Sequence, residues 1–158
     1  MKKEKAFTLV ELLIVIGILL ILSGVGFYYF SSIYKKEELK KHASILEYFI
    51  KEARMYAIQK SVNVGLCVPD NQTVQMINMG TQRGDPCSGN IVRKFSVKPP
   101  FIIKESVALN KNGLAFDPRG TAIYSGNICL QGEDYHYKFV LSTGRGYIKE
   151  ESAPGTCY

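Results

Sequence analysis

Lys5-Ala6-Phe7-Thr8-Leu9-Val10-Glu11-Leu12-Leu13-Ile14-Val15-Ile16 is the stretch on which the fold turns. Lys2, Lys3 and Lys5 form a basic lead-in, and from Phe7 to Tyr34 the only acid or base short of the next lysines is Glu11. Roughly 20 apolar residues in a helix cross a ~30 Å hydrocarbon core, so this run predicts a membrane-spanning helix. Glu11 is the anomaly, because a carboxylate at the centre of such a helix costs about 2.5 to 3.5 kcal/mol and demands a positive partner. The three lysines place the N-terminus in the cytoplasm and the rest of the chain outside. A cleaved secretory signal fits poorly: the run exceeds an h-region of about 7 to 15 residues, and no A-x-A-like site follows. A plain signal anchor accommodates the length but leaves the acid without a purpose.

After Ser31-Ser32 the pattern becomes amphipathic. Leu39, Ala43, Leu46, Ile50, Ala53 and Ala57 recur at steps of four and three, while Lys36, Lys40, Lys41, Glu47, Lys51 and Arg54 occupy other faces. A helix from Phe7 to about Lys60 would span roughly 80 Å at 1.5 Å per residue. Gly17, Gly24 and Gly26 are either weak points in it, each costing about 1 kcal/mol against alanine, or small contacts for close helix packing. Tyr28, Tyr29 and Tyr34 close the apolar run, where aromatic residues sit at an interface or pack on neighbouring subunits.

From Ser61 the period is that of strands between turns. Strands are expected over Val62–Val68, Thr73–Met79, Ile91–Val97, Phe101–Leu109, Leu114–Phe116, Ala122–Tyr124, Asn127–Leu130, Tyr135–Leu141 and Gly146–Lys149. Pro118 and Gly120 mark a tight turn, and Gly144 a hairpin with positive φ. The linkers Lys98-Pro99-Pro100 and Asn110-Lys111-Asn112-Gly113 are too short to divide domains. The fold class is therefore α+β: a long N-terminal helix, transmembrane in its first half, packed on a C-terminal β-rich head. The expected division is 1–6 basic lead-in, 7–34 transmembrane helix, 35–60 amphipathic half, and 61–158 head.

Net charge is +6, and removal of residues 1–6 takes away three lysines and one glutamate, leaving +4. That mild excess permits nucleic acid or anionic lipid as a partner without requiring either. Cys67, Cys87, Cys129 and Cys157 follow no paired C-x-x-C zinc spacing and read as two disulfides in an extracytoplasmic head. Three pairings are open. The favoured one joins Cys67 to Cys87 and Cys129 to Cys157, because each then closes a short loop. Catalysis finds no foothold: His42 lies beside lysines on the helix, and His136 stands between two tyrosines in a strand, with no nucleophile or metal pattern near. No cofactor is expected. Asn71-Gln72-Thr73 fits a glycosylation sequon but reads as a turn entering a strand.

The opening stretch resembles the class III signal of type IV prepilins and type II secretion pseudopilins. In that family a prepilin peptidase cuts before the Phe and methylates the new amine; carried over, the cut falls between Ala6 and Phe7, with Ala6 replacing the usual Gly. The resemblance also gives Glu11 its partner, the N-terminal amine of a neighbouring subunit, so that two buried charges cancel and set the axial register during assembly. In the head, Leu114-Ala115-Phe116-Asp117-Pro118-Arg119-Gly120-Thr121-Ala122, Asn127-Ile128-Cys129-Leu130 and Lys138-Phe139-Val140-Leu141-Ser142-Thr143-Gly144-Arg145-Gly146-Tyr147-Ile148 resemble the GspH/FimT group of minor pilins and pseudopilins.

This resemblance implies a non-enzymatic subunit of a type IV pilus, held in the bacterial inner membrane with its head outside until it enters the filament. Its partners would be other pilin or pseudopilin subunits, the prepilin peptidase and the inner-membrane assembly platform. An H-type pseudopilin of type II secretion is the alternative. The FimT side of the group further implies DNA contact through Gly-Arg-x-Arg. Here the matching residues are Gly144-Arg145-Gly146-Tyr147, which keep one arginine and leave Arg145 and Lys149 as the DNA candidates, with Glu150 and Glu151 opposing them.

Overall fold

The structure is a computed structural model and describes residues 8–107, 113–144 and 148–157, with backbone alone at 25–29, 31 and 32. Its helix α1 runs over Leu9–Lys60, 52 residues. The start is capped by Thr8, whose Oγ1 accepts the Glu11 N–H at 3.2 Å. Thr at the cap with Glu three residues on is the pattern of a capping box. The end is a Schellman turn, in which Val62 N–H donates to Ala57 O at 3.2 Å and Ser61 N–H to Ile58 O at 3.3 Å. Ser61 occupies the left-handed position usually held by glycine, with φ 53°.

Residues up to Glu37 and residues from Glu38 form two compact units. In the first, Leu9, Val10, Leu12, Leu13, Ile14 and Val15 are all at least half exposed, as are Ile18, Leu19, Leu20, Ile21 and Leu22. Among the described residues no helix is long and apolar enough to cross a membrane. Side chains of the apolar run are described over 8–24 and again at Phe30, Ile33 and Tyr34, all three of them exposed. Gly26 and the side chains of Tyr28 and Tyr29 lie outside the described residues.

The second unit is the head. Its strands are β1 (Asn63–Asp70), β2 (Thr73–Gly80), β3 (Asn90–Ser96), β4 (Ile102–Val107), β5 (Leu114–Phe116), β6 (Gly126–Gln131), β7 (Tyr135–Leu141) and β8 (Ile148–Pro154). They form two antiparallel sheets, ordered β3-β2-β1-β5 and β4-β6-β7-β8. One core unites helix and sheets: Leu39, Ala43, Leu46, Ile50, Ala53 and Ala57 of α1 meet Val64, Leu66, Val74 and Met76 of one sheet and Ile103, Ile128, Leu130, Phe139 and Leu141 of the other. Alternation along the strands selects these faces.

The strand expected over 122–124 is absent as such; Ala122 makes a single bridge to Phe116. The tight turn before it, pinned by Asp117, has brought the chain back already, and only Ile123 N–H to Ala115 O continues the contact. The last strand is longer than expected, reaching Pro154, although five of its six residues after Ile148 are polar or proline. An exposed edge strand needs one partner and no second apolar row. The expected residues 108–109 and 146–147 lie outside the described ones.

Ser61→Gly should stabilise the head, because glycine removes a left-handed penalty of about 1–2 kcal/mol while adding unfolded-chain entropy of about 0.5–1 kcal/mol. A gain of about 0.5–1 kcal/mol in urea denaturation is expected, and Ser61→Val should lower stability instead.

Candidate functional site

Of the processing and assembly residues, Ala6 and Phe7 lie outside the described residues, and Glu11 is exposed in the first turn of α1. Its acid side chain suits that position, since the first turn carries the positive end of the helix dipole. Glu11 thus sits at a capped helix start, surrounded by exposed leucine, isoleucine and valine side chains. The Thr8 cap was missed in the sequence, although Thr8-Leu9-Val10-Glu11 has the spacing that would have revealed it.

In the head, the turn Asp117-Pro118-Arg119-Gly120-Thr121 is a structural joint. The Asp117 carboxylate accepts the Arg119 N–H at 2.9 Å and the Thr121 N–H at 3.0 Å. Burial pushes its carboxyl up, but the Thr121 backbone and hydroxyl, the Arg119 N–H and the Arg119 guanidinium outweigh that and hold it below the ordinary carboxylate range. Arg83 adds a looser contact, 3.7 Å from Oδ2. The turn docks on α1 through Arg54, whose Nε donates to Gly120 O at 2.9 Å. Gly120 has φ 75°, and a Cβ there would lie 2.6 Å from Ile58 Cδ1, so glycine is required for both conformation and space.

Each sheet is stapled on the side away from the core. Cys67 bonds Cys87, and Cys129 bonds Cys157. Cys67 follows core-facing Leu66, so it points outward. The loop ending at Cys87 lies so near the strand that a Cβ on Gly65 would be 2.0 Å from Pro86 O. Cys129 likewise faces outward between Ile128 and Leu130, and Cys157 brings the C-terminal segment over it. That segment is held by Gly155 N–H to Asp134 O at 2.9 Å, Cys157 N–H to Gln131 Oε1 at 3.1 Å, and His136 Nδ1 to Gly155 O at 3.2 Å. His136 is buried and hydrogen-bonded, and His42 stacks on Phe101 with ring centroids 5.0 Å apart. No group of His, Cys, Asp or Glu among the described residues could hold a metal ion.

Of the two DNA candidates, Lys149 is among the described residues and Arg145 is not. Gly144 has φ 73° and donates to Ala122 O at 3.0 Å, but Arg145, Gly146 and Tyr147 lie outside the described residues. Lys149 is ion-paired with Glu151 at 2.7 Å, and the Lys149 hydrogen bond and charge hold the Glu151 carboxyl low.

A prepilin-type N-terminus, a capped apolar helix and a two-sheet head packed on the second half of that helix define a pilin-like subunit. The chain belongs to the family described as Type II transport protein GspH, which matches residues 45–144, and residues 1–27 match the prokaryotic N-terminal methylation motif. Among solved structures, the head is similar to the type IV minor pilin FimU of Pseudomonas aeruginosa strain PAO1 in two crystal forms. One gives TM-score 0.56 at 16% identity over 74% of this chain and 90% of that one. The other gives 0.52 at 17% identity over 71% and 91%. At such identity the likeness establishes the fold. No curated protein matches the chain significantly.

Asp117→Ala should cost about 1–3 kcal/mol, because two N–H donors of a covered turn lose their acceptor together. Asp117→Asn keeps an acceptor oxygen and should cost less; equal losses would show that charge, rather than hydrogen bonding, holds the turn.

Proposed function

We propose that this protein is a minor pilin of a type IV pilus, made with the leader 1–6, cut before Phe7 and built into the filament through α1. The observation that carries the reading is the helix start itself: Thr8 caps α1 and sets Glu11 in its first turn, inside a run of exposed apolar side chains. An acid is costly on such a surface unless it meets a cation. Cleavage before Phe7 creates an ammonium group one helical turn from Glu11, at a depth where both charges gain from pairing. The amine of a neighbouring subunit completes the pair, residues 7–34 form the membrane and filament-core helix, and 35–60 join it to the head. Before assembly the helix anchors the subunit in the inner membrane, where the prepilin peptidase and the assembly platform act on it.

An H-type pseudopilin of type II secretion is the second reading, and the family description favours it. Both machines use the same helix and a similar head, so affinity purification of the full chain from its own cells, reading pilus against secretion components, separates them. A DNA-binding minor pilin is the third reading, with Arg145 and Lys149 as the residues to test; the lack of a salt-sensitive gel shift with the full chain would sink it.

Mass spectrometry of the mature protein should find an N-methylated Phe7 start; an intact Met1 or a cut elsewhere would sink the reading. Glu11→Leu should still insert and still be cut, yet reach filaments about tenfold less or worse, as leaving an ammonium unpaired in an apolar bundle costs several kcal/mol. Normal incorporation of that variant would refute the pairing.

A further inference from the structure

Strand β4 carries an acid where its neighbours are apolar. Ile103 is fully buried and Val107 packs against the core. Glu105 lies two residues from each and shares their face. In the ladder it stands opposite Ile128, which stands opposite Phe139, and both are fully buried. Its Oε2 is shut off from solvent and has no hydrogen-bond partner. An ionised carboxylate in that place lacks the cation or converging N–H groups that normally offset desolvation.

The charged groups of the surrounding elements do not supply them. Lys104 of β4 is on the opposite face, in one row with Cys129 and with Lys138 of β7. The β6 residues alongside are Asn127, Ile128 and Cys129. Glu150 of β8 ends the row of Glu105 beyond Ile128 and Phe139, and it is exposed. From β1, Asp70 is occupied by the Gln72 N–H. From α1, His42 is stacked on Phe101, just before β4. Burial is accordingly the cause that pushes the Glu105 carboxyl up to about 7. Strand β4 is also at an edge, laddered to β6 alone and tied towards the other sheet by Ile103 N–H to Asn71 O at 2.6 Å.

We propose that Glu105 makes the seating of β4 on the core depend on pH: a neutral carboxyl is tolerated between Ile103 and Val107, whereas a carboxylate draws this edge strand towards water. The folded head binds the proton more tightly than the unfolded chain, whose ordinary value is 4.5. The stabilisation is therefore complete below that value and is lost as pH rises through about 7. Mild acid tightens the strand, and neutral to alkaline surroundings loosen it.

Amide hydrogen exchange of the full chain in detergent micelles, corrected for intrinsic rates, tests this at pH 5.5 and pH 8. Amides of 103–107 should exchange about thirtyfold faster at the higher pH, the ratio that linkage gives between pH 5.5 and pH 8 for a carboxyl moved from 4.5 to about 7. In Glu105→Gln they should not respond, and β1 and β2 should not respond in either protein. The same pH profile in both proteins, or loosening spread evenly over all strands, would overturn the proposal. Should the variant fail to fold, a carbon-13 titration of the Glu105 carboxyl in the unaltered chain decides. A midpoint near 7 supports the latch, and one in the ordinary carboxylate range removes it.

Discussion

The burial of one stripe of α1 against two sheets at once is the constraint on which the head depends. Leu39, Leu46 and Ile50 supply volume, while Ala43, Ala53 and Ala57 let the strands approach the helix backbone closely. Neither sheet has a second core of its own, since the buried faces of both meet at this stripe. A head of this size buries a modest fraction of its surface, and a shared core makes the most of it. The same helix, α1, also carries Glu11 in its first turn.

The outward faces of the sheets are managed by covalent means. A sheet with one face on the core leaves the other to water unless something covers it. Here a loop is bonded over Gly65 by Cys67–Cys87, and the C-terminal segment is bonded over Gln131 and His136 by Cys129–Cys157. Separations of 20 and 28 residues put each crosslink near 3 kcal/mol on a chain-entropy basis. That is a substantial share of the stability of a small domain. Asp117 does by hydrogen bonds, at the end of β5, what the disulfides do elsewhere: it closes a turn and lays it on the helix.

Much of this was legible beforehand, for identifiable reasons. Helical and strand periods differ, so the change at Ser61 was plain, and core residues such as Leu46, Leu66 and Phe139 followed from alternation. Illegible features depended on contacts between distant residues. Ala122 failed to open a strand because Asp117 had already turned the chain, and β8 ran on through Glu150 and Glu151 because β7 was there to receive it. A run of charges gives no strand signal on its own, yet an edge strand can tolerate one.

The N-terminal stretch by itself showed a basic lead-in and an apolar run interrupted by one acid, the pattern that matches the prokaryotic N-terminal methylation motif. Charge and hydropathy are local properties, readable without a partner. Tertiary structure alone decided that His136 serves the C-terminal segment, and that half-buried Glu105 has its Oε2 shut off from solvent on the face of Ile103 and Val107. Each of these is set by the neighbour a side chain meets across the fold. Glu105 looks like an ordinary exposed charge until the ladder sets it opposite Ile128.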